Sequence, residues 1–228
     1  MPKQNVLVVG AGSDLIQPLL DEADSYGLSV LKLNRSNWNL DDCTPPPSLI
    51  SQIISFSPSH VLYAAGLNCP QDLRQDPVQT LKAVNEHLMV NCLSFISIVL
   101  HLQSRLAAPL ISIHALSSLY GLYGRRTRLP YSVSKHALEG AVKCLAIEYP
   151  ETLVLAYRPG FFKTKLTDKN INADMQDRLK ACIPAGRLGS SSELSAVILR
   201  NILDPPLYAS GSAITLDGGL TAGGIFEL

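Results

Sequence analysis

The sequence predicts an α/β fold, a doubly wound parallel sheet between two layers of helices, and three observations carry that expectation. Short apolar runs alternate along the chain with longer segments whose apolar residues recur at helical spacing. At 228 residues, 46% of them hydrophobic, the chain can bury one sizeable core, and a single domain over residues 1–228 is expected. The first apolar run breaks at glycine directly ahead of a helical pattern, the form of the leading strand–turn–helix unit in such sheets.

Taken in order, Asn5–Val9 reads as the first strand, Leu15–Tyr26 as the helix after it, and Ser29–Leu33 as the second strand. The next stretch, Asn34–Pro47, is polar and carries three prolines in a row, so a loop is expected where a crossover normally carries a helix. This shortened third crossover leaves one edge of the fold trimmed. Leu49–Phe56 then reads as helix and His60–Tyr63 as strand. The long pattern Leu81–Arg105 is helical, Pro109–His114 is a strand, and Tyr131–Glu148 is a helix. Leu153–Tyr157 and Ala213–Leu216 complete the strands, with the helix Glu193–Leu203 between them. No segment of 20–50 residues repeats, and no linker marks a boundary.

Charge and cysteine content exclude several classes. With 19 basic and 19 acidic residues the formal net charge is zero, which gives no electrostatic footing for nucleic acid. The five cysteines, Cys43, Cys69, Cys92, Cys144 and Cys182, show no metal-ligand or redox spacing and read as buried reduced thiols, with no metal expected. Val6–Val9 is too short for a signal peptide, and no later apolar stretch reaches membrane-spanning length, so a cytoplasmic protein without membrane contact is expected.

Three groups of residues carry chemistry. In Gly10-Ala11-Gly12-Ser13-Asp14-Leu15-Ile16 the glycines allow backbone N–H groups to approach a diphosphate at a helix N-terminus, although a plain strand-to-helix turn would also use them. Asp14 and Ile16 stand where a dinucleotide fingerprint has glycine. After the second strand comes Asn34-Arg35-Ser36, without the carboxylate that would hold the ribose hydroxyls of NADH. Arg35 there either pairs with the 2′-phosphate of NADPH or is a solvated loop residue. Tyr131 and Lys135 are four apart on one helix face, with Ser118 thirteen residues upstream of the tyrosine. A cation beside a phenol favours the phenolate, which suits Tyr131 to proton transfer, and Ser118 would donate to a substrate carbonyl oxygen.

These residues make the chain resemble the classical short-chain dehydrogenases/reductases, in particular the 3-oxoacyl-acyl carrier protein reductase branch. Tyr131 and Lys135 match the YxxxK motif, Ser118 the upstream serine in Ser117-Ser118-Leu119-Tyr120-Gly121, and Asn91 the asparagine of the preceding long helix. Asn85 competes for that last role, but Val90 and Cys92-Leu93 flank Asn91 as in the family. Ala64-Ala65-Gly66 is similar to the NAG turn without its asparagine, and Pro159-Gly160-Phe161-Phe162-Lys163-Thr164 to the segment beside the nicotinamide amide. Ile183–Gly189, Glu193 and Asp217-Gly218-Gly219 resemble the branch's C-terminal signature.

The resemblance implies a Rossmann-type fold, NADP(H), and hydride transfer to a ketone with Tyr131 protonating its oxygen. Lys135 would hold the nicotinamide ribose, and Asn91 would anchor a water in a proton relay. Cofactor contacts carry over to Gly10, Gly12, Ser13, Asp14, Leu15, Asn34, Arg35, Ser36, Asn39, Leu40, Ala64, Ala65, Gly66, Tyr131, Lys135, Pro159, Gly160, Phe162 and Thr164. The departures at Asp14, Ile16, Ala64 and the third crossover fall on the adenine side and leave the reaction centre intact.

For the substrate, Arg125, Arg126 and Arg128 lie between the serine and the tyrosine, and Lys163, Lys165 and Lys169 follow in what the resemblance makes the substrate lid. These charges suit a phosphate, a nucleotide diphosphate or an acidic carrier protein, and equally a solvated loop. Three readings follow: an acyl-thioester or small-molecule ketoreductase, a nucleotide-sugar ketoreductase of bacterial surface-polysaccharide synthesis, and a noncatalytic nucleotide-binding scaffold. A homodimer or homotetramer is expected from the resemblance, with Leu93, Ile96, Leu138 and Val142 serving either that contact or the core.

Overall fold

A computed structural model describes residues 4–74, 76–164 and 173–223. Six strands form one parallel sheet: β1 Gln4–Val9, β2 Leu28–Leu33, β3 His60–Tyr63, β4 Ser112–Leu116, β5 Leu153–Pro159 and β6 Ala213–Leu216. Their order is β2-β1-β3-β4-β5-β6, so the chain builds outward from β1 to one edge and then crosses to the other side. That reversal opens a crevice at the carboxyl ends of β1 and β3, where α/β sheets bind ligands.

The helices are α1 Gln17–Glu22, α2 Pro47–Phe56, α3 Pro77–Leu88, α4 Ser94–Gln103, α5 Leu129–Glu148, α6 Ala173–Cys182 and α7 Ser191–Leu203. They cover both sheet faces because the strand residues alternate. Leu7, Val9, Val61, Tyr63, Ile113, Ala115, Val154 and Ala156 pack with α2, α4 and α5. Val6, Val8, Leu62, Leu116, Leu155 and Tyr157 pack with α1 and α7. Leu138 and Val142 belong to the core, Ile96 packs against it, and Leu93 remains exposed.

Several boundaries differ from the sequence reading. The first helix is a short α segment between two 3-10 turns, since Pro18 has no N–H to bond back one turn, and left-handed Gly27 closes it. The crossover from β2 is a loop as far as Pro46, where α2 begins; β2 is left as the sheet edge. β4 starts at Ser112 rather than Pro109, in register with His60, and the sequence pattern did not predict α6.

The long helix runs from Pro77 to Gln103, with a π turn at Met89–Leu93 joining α3 to α4. Contrary to the sequence reading, it is long and apolar enough to cross a membrane; 44% of its most apolar window is buried inside the fold, where Phe95, Ile98, Val99 and Leu102 enter the core. All five cysteines are free, but only Cys92 is buried, and Cys69 and Cys144 are exposed.

Candidate active site

The turn after β1 closes against the end of β3. Gly10 adopts φ +84°, and a Cβ there would stand 2.3 Å from the Ala65 nitrogen, so only glycine lets the two segments meet. The Gly10 and Ala11 amides are tied to the Leu33 carbonyl, whereas Gly12 faces open space. Beyond β2, Asn34 Oδ1 accepts from the Ser36 amide and hydroxyl, which folds Asn34–Trp38 into a tight turn.

These segments form one wall of a cavity of about 940 Å³. Every position that the resemblance assigned to the cofactor lines it except Ser36, whose hydroxyl is spent on the Asn34 turn. The sequence reading missed Trp38, which is buried with its indole N–H on the Asp42 carbonyl, and Asp41, an acid that the loop returns to the cavity. As the chain's single tryptophan, Trp38 was the one available signal; Asp41 stands six residues beyond Arg35 and carried none.

The reaction end gathers Ser118, Tyr131 and Lys135. Ser118 is 9% exposed, its Oγ accepts the Tyr120 amide at 3.2 Å, and it is among the groups that lower the Tyr131 pKa. Lys135 is 2% exposed; its Nζ donates to the Leu116 carbonyl at 2.7 Å and sits 5.6 Å from the centre of the Tyr131 ring. Burial draws the Lys135 ammonium down to about 8, partly offset by nearby Cys92 and Glu139. Burial also pushes Tyr131 up to about 12, against the Ser118 hydrogen bond and the Arg128 charge, which lower it. Lys135 is not among the groups that shift the phenol. Desolvation of the phenol outweighs the charges around it, and Tyr131 holds its proton at neutral pH.

Asn91 lies in the π turn, fully buried and behind the cavity wall rather than on it. Its amide receives the Leu67 N–H at 2.7 Å and donates to the Leu67 carbonyl and to Ser134 Oγ. It thus fastens the loop after β3 to α5, the helix that carries Tyr131 and Lys135, while Asn85 is exposed on α3. Tyr120, Tyr123, Arg125, Arg128, Met175 and Leu179 also line the cavity; Arg126 and Lys163 do not, and Lys165 and Lys169 lie outside the described residues. Among the described residues no cluster of histidine, cysteine or carboxylate could hold a metal ion.

A family model described as Enoyl-(Acyl carrier protein) reductase matches residues 61–221, which is 161 of the 228 residues. The chain is 35% identical over 111 residues to the 3-oxoacyl-[acyl-carrier-protein] reductase FabG of Thermotoga maritima, covering 48% of this chain and 45% of that protein. It is 31% identical over 107 residues to the protein of the same name from Aggregatibacter actinomycetemcomitans, covering 46% and 43%. The chain thus spans somewhat less than half the length of these curated relatives. Among solved structures, a 4-hydroxyisoleucine dehydrogenase complexed with NADH superposes with a TM-score of 0.82 at 21% identity, over 96% of this chain and 99% of the other. ElxO with NADP bound gives 0.78 at 20% identity, over 96% and 99%. At such identities the likeness is one of fold. The matched family model makes the chain a member of the short-chain dehydrogenase/reductase family of oxidoreductases, and over about half its length it is similar to 3-oxoacyl-acyl carrier protein reductases.

Proposed function

We propose that this protein is an NADPH-dependent reductase that converts a ketone to a secondary alcohol. The observation that carries the reading is the convergence of Ser118, Tyr131 and Lys135 at one end of a cavity whose other end is the Gly10–Gly12 turn and Arg35. The cavity suits a dinucleotide, because Gly10 brings the β1 turn against β3 and Gly12 leaves backbone open to a diphosphate. When bound, the nicotinamide supplies the hydride.

The chain's own residues do the rest. Ser118 donates to the carbonyl oxygen as negative charge develops there, and Tyr131, which keeps its proton at neutral pH, delivers that proton to the same oxygen. Lys135, as an ammonium below its pKa of about 8, holds the ribose and faces the phenol ring. Asn91 keeps α5 and the β3 loop in register. Arg35 supports NADPH through its charge, with Asp41 as the opposing charge at that end. For assembly we propose a homodimer or homotetramer that covers Leu93 and Leu100, which are exposed seven residues apart on the long helix.

Fluorescence titration with NADPH and NADH tests the cofactor reading. Preference for NADPH is expected, and it collapses in Arg35→Asp. With a ketone present, Tyr131→Phe is expected to lower kcat by roughly 10²–10⁴-fold while dinucleotide affinity holds. Absence of binding by either nucleotide would overturn this reading in favour of a noncatalytic scaffold.

A further inference from the structure

Two arginines, Arg125 and Arg128, line the cavity near Tyr131. Arg128 is the residue before α5, three positions ahead of Tyr131, and its Nη1 donates to Asn68 Oδ1 at 2.8 Å. Arg125 Nη1 donates to the Tyr120 hydroxyl at 2.6 Å, and its guanidinium lies 5.9 Å from the centre of the same ring. Tyr120 in turn meets Tyr131 edge-on at 5.9 Å. Among the described residues neither guanidinium is paired with a carboxylate.

The loop between them is held in an unfavourable conformation. Thr127 adopts φ +62°, a left-handed geometry that a β-branched residue rarely takes, while its carbonyl accepts the Gln71 amide at 2.8 Å. Strain of this kind persists where the surroundings over-determine it, commonly at ligand clamps. Here it falls between Arg125 and Arg128, which line the cavity together with the apolar side chains of Met175 and Leu179. The Arg128 charge reaches the phenol itself, since it is among the influences that lower the Tyr131 pKa.

We infer that Arg125 and Arg128 form an anion subsite, and that the ketone reduced here carries a carboxylate or phosphate close to its carbonyl. The inference rests on the reductase reading and adds a substrate class to it. An anion between the two forks would place the adjoining carbonyl at Ser118 and Tyr131, and each arginine keeps donors beyond the one given to Asn68 or Tyr120. The remainder of the substrate would run along Met175 and Leu179.

The test uses two matched pairs, acetoacetate with its methyl ester and dihydroxyacetone phosphate with dihydroxyacetone. Each compound is followed both by NADPH oxidation and by calorimetric titration of the protein saturated with NADP. The anionic member of at least one pair is expected to be favoured tenfold or more in kcat/KM, and which pair responds separates carboxylate from phosphate. In Arg125→Gln/Arg128→Gln that ratio should fall at least tenfold. Arg125→Gln alone, at an exposed side chain, should give a smaller fall if the double variant folds poorly. Turnover of either pair with no anion preference, or a preference untouched by the variants, overturns the subsite and leaves the reductase reading standing. Calorimetric binding of the anions that the double variant loses, with none of the four reduced, supports the subsite and counts against the reductase reading. No calorimetric binding of either anion, with none of the four reduced, overturns the subsite.

Discussion

Ser117 donates a 2.6 Å hydrogen bond to Glu139, a carboxylate buried one helical turn beyond Lys135 on α5. Arg158, at the end of β5, pairs with both oxygens of the same carboxylate. Gly121 makes room for the arrangement, since a Cβ there would fall 2.3 Å from Glu139 Oε1. One side chain therefore joins the serine loop, the Pro159-Gly160 segment and the helix of Tyr131 and Lys135. Glu139→Gln removes a charged acceptor from three donor groups, the Ser117 hydroxyl and two nitrogens of Arg158, and is expected to cost about 1.5–3 kcal/mol in chemical denaturation. An unchanged denaturation midpoint would show that the carboxylate does not hold these segments together.

On the proposed reduction, Lys135 is expected to set the alkaline limit. Its ammonium is present below about pH 8 and is lost above it, so kcat/KM for ketone reduction should fall as pH rises through that value. Glu139 raises the Lys135 pKa, so Glu139→Gln should move this limb to lower pH. Profiles of the two proteins that coincide would place the limb on another group.

Gly10 meets both conditions that exclude a side chain, a positive φ and a close backbone neighbour. Gly10→Ala should cost at least about 1–2 kcal/mol from the left-handed geometry alone, and it should weaken dinucleotide binding as the turn withdraws from Ala65. Gly12→Ala meets no atom within 4 Å and should leave the fold's stability nearly unchanged, which thermal denaturation of the pair would check.

Beneath the sheet a buried polar chain runs from His60 through Ser112 and His114 to Tyr157 and Asn201. Tyr157→Phe would strand His114 Nδ1 and the Asn201 amide from this partner, at about 1–3 kcal/mol in denaturant unfolding. Burial lowers His60 to about 4 and His114 to about 3, so both are neutral in the fold. Between about pH 6.5 and 4 the unfolded chain binds protons that the folded chain does not, and stability should fall with pH across that range. A flat profile there would mean that these histidines do not govern acid unfolding.

The sequence by itself determined the alternation of strands and helices, because period-2 and helical spacing of apolar residues are local properties of the chain. It also determined the trimmed edge, since prolines and polar residues cannot build the missing crossover, and it singled out Tyr131, Lys135 and Ser118 by their spacing and Asn91 through the family resemblance. Only the tertiary structure decided what surrounds those groups. Burial is a property of packed neighbours, so the high pKa of Tyr131 and the low one of Lys135 could not be read from a four-residue interval. For the same reason Asn91 emerged as a brace between Leu67 and Ser134, Ser36 turned inward to its own loop, and Asp41 and Trp38 came back to the cavity. Glu139 and Arg158, nineteen residues apart in the chain, met because α5 crosses the end of β5.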